Sequence, residues 1–154
     1  MKINVKRIPL EGESLGGSDP ASILELDEPD VHFEHEVEYQ LFAQVQGNAL
    51  LVTGRISTPA TLRCSRCLRV FEQPLRVEQF VFHHELHDED FVDLTPSIRE
   101  DIILALPQRA LCAENCKGLC PRCGKDLNKG PCRCKQSEGD LRWHALDNLN
   151  LELK

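Results

Sequence analysis

The stretch Val37–Ile56, VEYQLFAQVQGNALLVTGRI, decides the fold. Val37, Tyr39, Leu41, Ala43 and Val45 recur at every second position, the period of a strand with one buried face. Gly47-Asn48 follows, and after it Ala49–Ile56 is rich in Leu, Val and Ile. Two such runs joined by a short glycine-containing connection predict a β-hairpin. Further on, strand character resumes at residues 58–63 and again at 75–82, where Leu75, Val77, Gln79 and Val81 share one face and Phe80 and Phe82 take the other. Between these two runs lies Cys64-Ser65-Arg66-Cys67, which reads as a tight turn.

Beyond the strands, His83–Asp90 (HHELHDED) is polar and without periodicity, so it reads as a loop. His83, His84 and His87 beside Glu85 and Asp88 have metal-ligating chemistry, but a solvated polar loop accounts for them more simply. A helix follows. Thr95 is positioned to cap it, Pro96 suits its first turn, Ile98, Ile102, Ala105 and Leu106 fall at helical spacing, and Pro107 stops it. Glu100 and Asp101 beside Arg99 read as its solvated face. On the other side of the hairpin, residues 2–10 read as a leading strand, and the acidic stretch to residue 35, broken by Gly16-Gly17, Pro20 and Pro29, as irregular.

The chain has 154 residues, with 18 Lys+Arg against 25 Asp+Glu, a formal charge of −7, and 41% hydrophobic residues. That is enough to bury a core, and it excludes a peptide-like or wholly disordered protein. No apolar run approaches the ~20 residues needed to span a bilayer. Met1–Leu10 has no apolar stretch of signal-peptide length, so a cytosolic protein is expected. In a reducing compartment structural disulfides are rare. The 8 cysteines therefore read as thiolate ligands of a metal.

Six of those cysteines fall in residues 112–135, which carry almost no apolar bulk besides Leu119 and Leu127. Such a segment has to fold around a metal. Cys120-Pro121-Arg122-Cys123-Gly124 has the form of a zinc knuckle, in which thiolates from one glycine-containing turn reach the same tetrahedral ion. With Cys132 and Cys134 it makes a compact tetrad. Cys64, Cys67, Cys112 and Cys116 remain for a second, which would pin the end of the helix to the sheet. Two zinc ions, a single zinc drawn from the six distal cysteines, and redox or iron–sulfur chemistry are all compatible with the count. The redox version requires a CxxC at a helix N-terminus, and neither Cys64 nor Cys120 precedes a helical pattern.

Charge is polarised. Residues 117–135 hold Lys117, Arg122, Lys125, Lys129, Arg133 and Lys135 against Asp126, a local +5 that leaves −12 on the rest of the chain. Arg63, Arg66, Arg69 and Arg76 face only Glu72 around the first cysteine pair. Basic residues beside thiolate-bound metal compensate its negative charge. They are also what a polyanion would contact, although the acidic remainder opposes one at low salt. No nucleophile elbow and no phosphate-binding glycine loop is present, so the sequence does not advertise an enzyme. The tail from Asp140, with Leu141, Trp143, Leu146, Leu149 and Leu151, reads as a short amphipathic piece. Trp143 there suits packing better than base stacking.

Taken together, the order of a strand, Cys-x-Arg-Cys-Leu (Cys64 to Leu68), an Ile/Leu helix ending in Leu106-Pro107, and the run from Cys112 to Cys134 resembles the YceD family of large ribosomal RNA subunit accumulation proteins. The resemblance covers roughly residues 36–151. It implies a bacterial or organellar cytosolic factor needed for accumulation of the large-subunit (23S) rRNA, and hence for ribosome assembly. The resemblance implies no enzymatic activity. Relatives that place His where this chain has Cys112 and Cys116, and lack the distal knuckle, imply that Cys64 and Cys67 pair with Cys112 and Cys116. Cys120, Cys123, Cys132 and Cys134 are then the local site.

The expectation is an α+β protein: a small, mostly antiparallel, barrel-like sheet with one core helix and a zinc-binding C-terminal segment. Residues 1–110 form the sheet and helix, 111–136 the cysteine-rich knuckle segment and 137–154 the tail. With eight thiols and no position left for water, the zinc is structural, with two ions expected. The expected partners are ribosomal RNA or ribosomal and assembly proteins, with no membrane and no small-molecule substrate. Arg66, Lys117, Arg122, Lys125 and Arg133 are the expected RNA-contacting residues.

Overall fold

The computed structural model describes residues 1–26 and 28–134. Its strands are β1 (Lys2–Asn4), β2 (Glu13–Asp19), β3 (Val31–His32), β4 (Val37–Gln46), β5 (Ala49–Arg63), β6 (Val70–Glu85) and β7 (Phe91–Asp93), followed by helix α1 (Thr95–Leu104). The chain divides into two compact units, Met1–Cys116 and Lys117–Lys154. The amphipathic tail expected at 137–154 lies outside the described residues.

In the first unit β4 and β5 form the expected hairpin, with Gln46 opposite Ala49 and the Gly47-Asn48 pair between them. β2 lies on the outer edge of β4, β3 on β5, and β6 on the other side of β5, all antiparallel. The sheet curls into a half-barrel. A small second sheet pairs β1 with β7. The core is the inward face: Val37, Leu41 and Ala43 from β4; Leu50, Val52, Ile56, Ala60 and Leu62 from β5; Leu75 and Phe80 from β6. Helix α1 closes over it with Ile98 and Ile102, both essentially inaccessible. Each such side chain contributes about 1.5–3 kcal/mol of burial.

Four local expectations are corrected. The leading strand ends at Asn4, because the Asn4 side chain accepts from the Lys6 N–H at 3.1 Å and starts a 3-10 turn over Val5–Arg7. Residues 11–35 contain the seven-residue strand β2, and Gly16 and Gly17 sit inside it opposite Gln40 and Tyr39. A neighbouring strand's ladder thus overrides the local signal of two glycines. His83–Glu85, read as loop, continues β6 opposite Ala49–Leu51. Thr95 is the first residue of α1, not its cap. Leu94 holds the cap position, and the Asp93 carboxylate accepts from the Thr95 N–H at 2.9 Å.

The strand periodicity of 75–82 also breaks. Gly54 pairs with Phe80 but Ile56 with Val77, so Arg55 alone opposes two residues, Glu78 and Gln79. This bulge exchanges the faces of β6. Leu75 and Val77 point to the core before it, Phe80 and Phe82 after it, and Val81 is left exposed. Across the sheet from the bulge, a Cβ on Gly54 would lie 2.2 Å from the Gln40 carbonyl oxygen and 2.7 Å from the Leu41 Cα. Only glycine lets β4 approach so closely.

Candidate metal centres

The first tetrad grows out of the β5–β6 connection. After Arg63 the chain turns through Cys64-Ser65-Arg66-Cys67, closed by the Leu68 N–H donating to the Cys64 carbonyl at 2.9 Å and the Cys64 N–H to the Arg69 carbonyl at 2.9 Å. Leu68 takes the left-handed backbone, φ +58°, that this closure demands. The segment leaving α1 is stitched alongside: the Ser65 N–H and hydroxyl both donate to the Ala110 carbonyl, at 2.8 and 3.1 Å. That brings Cys112 and Cys116 to the knuckle.

The four sulfurs of Cys64, Cys67, Cys112 and Cys116 lie within 4.8 Å of one another. Cys64 and Cys116 are 3.9 Å apart and Cys67 and Cys112 3.6 Å. A tetrahedron of thiolates at the zinc–sulfur distance of ~2.3 Å has edges of ~3.8 Å, so this donor set fits the ion. All eight described cysteines are free thiols. Two arginines support the site. Arg66 Nη1 donates to the Cys116 carbonyl at 2.8 Å and to that of Glu114 at 3.4 Å, and Arg69 Nη2 donates to the Cys112 sulfur at 3.3 Å.

The second unit repeats the device. In Cys120-Pro121-Arg122-Cys123-Gly124 the Gly124 N–H donates to the Cys120 carbonyl at 2.9 Å, and the Cys120 N–H to the Lys125 carbonyl at 2.8 Å. Gly124 takes φ +69°. Cys120, Cys123, Cys132 and Cys134 bring their sulfurs within 4.8 Å, with Cys132 and Cys120 at 3.5 Å. The loop between is held by side-chain bonds: Asp126 accepts from the Asn128 N–H at 2.9 Å, Asn128 Oδ1 accepts from the Lys117 N–H at 2.8 Å, and Lys125 Nζ donates to the Pro131 carbonyl at 2.8 Å.

The acidities follow the geometry. Burial pushes the Cys64 thiol up, but hydrogen bonding from the backbone of Cys112, Cys67 and Arg66 and from the Cys67 side chain brings it down to about 6. Cys67 goes the other way. The backbone of Arg69 lowers it, yet burial and the neighbouring sulfurs of Cys112, Cys64 and Cys116 push it up to about 12. In the second tetrad Cys120 is drawn down to about 6, chiefly by the backbone of Cys123 and Arg122, while the Cys123 sulfur and burial push Cys134 up to about 12. Each tetrad thus holds one stabilised thiolate and one thiol that its neighbours keep protonated. A divalent cation is the charge that lets all four ionise together.

The sequence-expected ligands therefore fall into two groups with the expected membership, and these are the groups of three or more metal-ligating side chains among the described residues. The histidines do not join them. His84 Nε2 pairs with the Glu89 carboxylate and its ring stacks on Phe82 at 5.9 Å. Arg99 pairs with Glu25. Of the expected RNA-contacting residues, Arg66 lies in the first unit with its guanidinium committed to backbone carbonyls. Lys117, Arg122, Lys125 and Arg133 lie in the second and are exposed. Leu68, which stands where the second knuckle has glycine, escaped the sequence reading, and Arg69, expected there only as one of several charge-compensating basic residues, is placed on the Cys112 sulfur.

The family described as Large ribosomal RNA subunit accumulation protein YceD matches residues 81–150. The chain is 34% identical over 107 residues to the uncharacterized protein YlbN of Bacillus subtilis, covering 61% of this chain and 62% of that one. It is 28% identical over 158 residues to an uncharacterized protein of Mycobacterium tuberculosis, covering 84% of this chain and 75% of the relative. A 63-residue match at 35% identity, 41% of this chain, links it to the chloroplastic YCED homolog 1 of Arabidopsis thaliana, of which it spans 20%. The chain thus spans less than two thirds of the Bacillus relative. No solved structure matches. In its sequence over residues 81–150, which include the distal cysteine knuckle, the chain is similar to the YceD family.

Proposed function

We propose that this protein is a non-enzymatic cytoplasmic factor for accumulation of large-subunit (23S) rRNA and ribosome assembly. Two structural zinc ions hold it, one on Cys64, Cys67, Cys112 and Cys116 and the other on Cys120, Cys123, Cys132 and Cys134, and its distal knuckle contacts RNA or ribonucleoprotein. The family description supports the ribosomal role. All-thiol donor sets leave no position for a reactive water, which supports a structural metal.

One observation carries the RNA contact. Lys117, Arg122, Lys129 and Arg133 are exposed, and none has an ion-pair partner among the described residues, whereas Arg63 and Arg66 in the first unit are bound to Asp30 and to backbone carbonyls. Unspent cations are what phosphates take up. Charge reversal at Lys117, Arg122 and Lys125 is expected to weaken RNA binding and flatten its salt dependence. An unchanged salt slope, with zinc retained, would contradict the reading.

A second reading rests on the opposite charge. Met1–Cys116 carries a net −10, a surface suited to a basic ribosomal or assembly protein without direct RNA contact. A co-purifying partner that survives nuclease treatment favours this adaptor. A partner lost with the RNA favours the first reading.

A further inference from the structure

We infer that the ligand of the distal unit is RNA in a double-helical stem, gripped through its phosphates and not read through its bases. The inference rests on the RNA reading above and narrows it. No Phe, Tyr or Trp occurs between Phe91 and Trp143, so Lys117–Cys134, the described part of this unit, has no aromatic face. Proteins that hold single strands combine a basic groove with such faces, on which each stacked base contributes about 1–3 kcal/mol. In an RNA helix the major-groove base edges lie too deep for side chains to read, and the shallow minor groove is recognised mostly by shape and by 2′-hydroxyl and phosphate contacts. What remains for exposed Lys117, Arg122, Lys129 and Arg133 is the phosphate array.

Rigidity points the same way. Four sulfurs within 4.8 Å, the bridge between Leu119 and Asp126, and the Asp126–Asn128–Lys117 bonds fix the backbone that carries these cations. A preorganised set of charges gains most from a partner whose charges are also fixed, because neither side loses much freedom on binding. A stem presents phosphates at set spacings. A flexible strand would have to be ordered by charge alone.

The experiment uses the full zinc-loaded chain with two probes of equal length and base composition, an RNA stem-loop and an unstructured RNA. The stem-loop is expected to bind about tenfold tighter, with a log–log salt slope of about −3 for three to four phosphate contacts. Exchanging stem base pairs while keeping them paired is expected to change affinity less than about twofold. The triple variant Lys117→Gln, Lys129→Gln, Arg133→Gln, which leaves every cysteine in place, should lose most of that slope at unchanged zinc content. Equal or tighter binding of the unstructured RNA, or strong dependence on stem sequence, would overturn the inference and leave the RNA reading standing. Binding of neither probe by zinc-loaded, folded protein would overturn both.

Discussion

Leu68 and Gly124 occupy the same place in two copies of one device. Each follows the second cysteine of a CxxC turn, each donates its N–H to the first cysteine's carbonyl at 2.9 Å, and each has positive φ, +58° and +69°. Glycine adopts that conformation freely, whereas leucine pays about 1–2 kcal/mol for it. Leu68 is moreover 55% exposed, so little burial offsets the strain.

Replacing Leu68 by glycine is therefore expected to leave stability unchanged or raise it by up to about 1 kcal/mol, although a large apolar side chain is removed. Leu68→Val, β-branched at the same φ, is expected to lower it by more than about 1 kcal/mol. Denaturant unfolding of the zinc-loaded protein checks both. A loss of more than about 1 kcal/mol in Leu68→Gly would show that the side chain, not the backbone, matters there.

Arg69 donates to the Cys112 sulfur, and a cation on a metal-bound thiolate lowers its proton affinity and its tendency to leave. Arg69→Gln is expected to speed loss of one of two zinc equivalents to a chelator by about tenfold, leaving the other unchanged. Equal release of both equivalents would contradict the assignment.

Metal removal should affect the two units differently. The sheet has its own core of Leu, Ile, Val and Phe. Lys117–Cys134 has only Leu119 and Leu127 as bulky apolar residues, both half-buried. Chelation is expected to abolish amide dispersion over 117–134 while the β4–β5–β6 resonances persist. Thiols must ionise to bind, and those of Cys67 and Cys134 stand highest, at about 12. Zinc binding therefore releases protons, and affinity should rise with pH and fall on acidification. Calorimetry in buffers of different ionisation enthalpy counts them.

Gly54 tests the sheet. Its Cβ would strike β4 backbone, which cannot rotate aside, so Gly54→Ala is expected to cost at least the ~1–3 kcal/mol of an overpacked core. A thermal melt unchanged from wild type would show that the strands separate at no cost.

The hairpin and the cysteine groups were legible because each depends on local spacing: alternate apolar residues around Gly47-Asn48, and two CxxC turns that close on themselves. What escaped depends on distant partners. β2 exists because β4 offers it a ladder. The change of face at Glu78–Gln79 arises where Gly54 and Arg55 of β5 meet β6, and no window of β6 alone contains it. Thr95 has the composition of a cap, but Asp93 two residues earlier supplies the acceptor. Arg69 reads as one member of a charge-compensating basic cluster, and the sulfur that it serves is fixed only once Cys112 is folded next to it.

Ultraviolet crosslinking in growing cells, followed by sequencing of the RNA retained on the purified protein, tests the central claim most directly. Enrichment of large-subunit rRNA or its precursor, lost when Lys117, Arg122 and Lys125 are reversed in charge, is the predicted result. Recovery no better than that of an unrelated acidic protein would contradict direct RNA contact and turn the search to a basic protein on the acidic first unit.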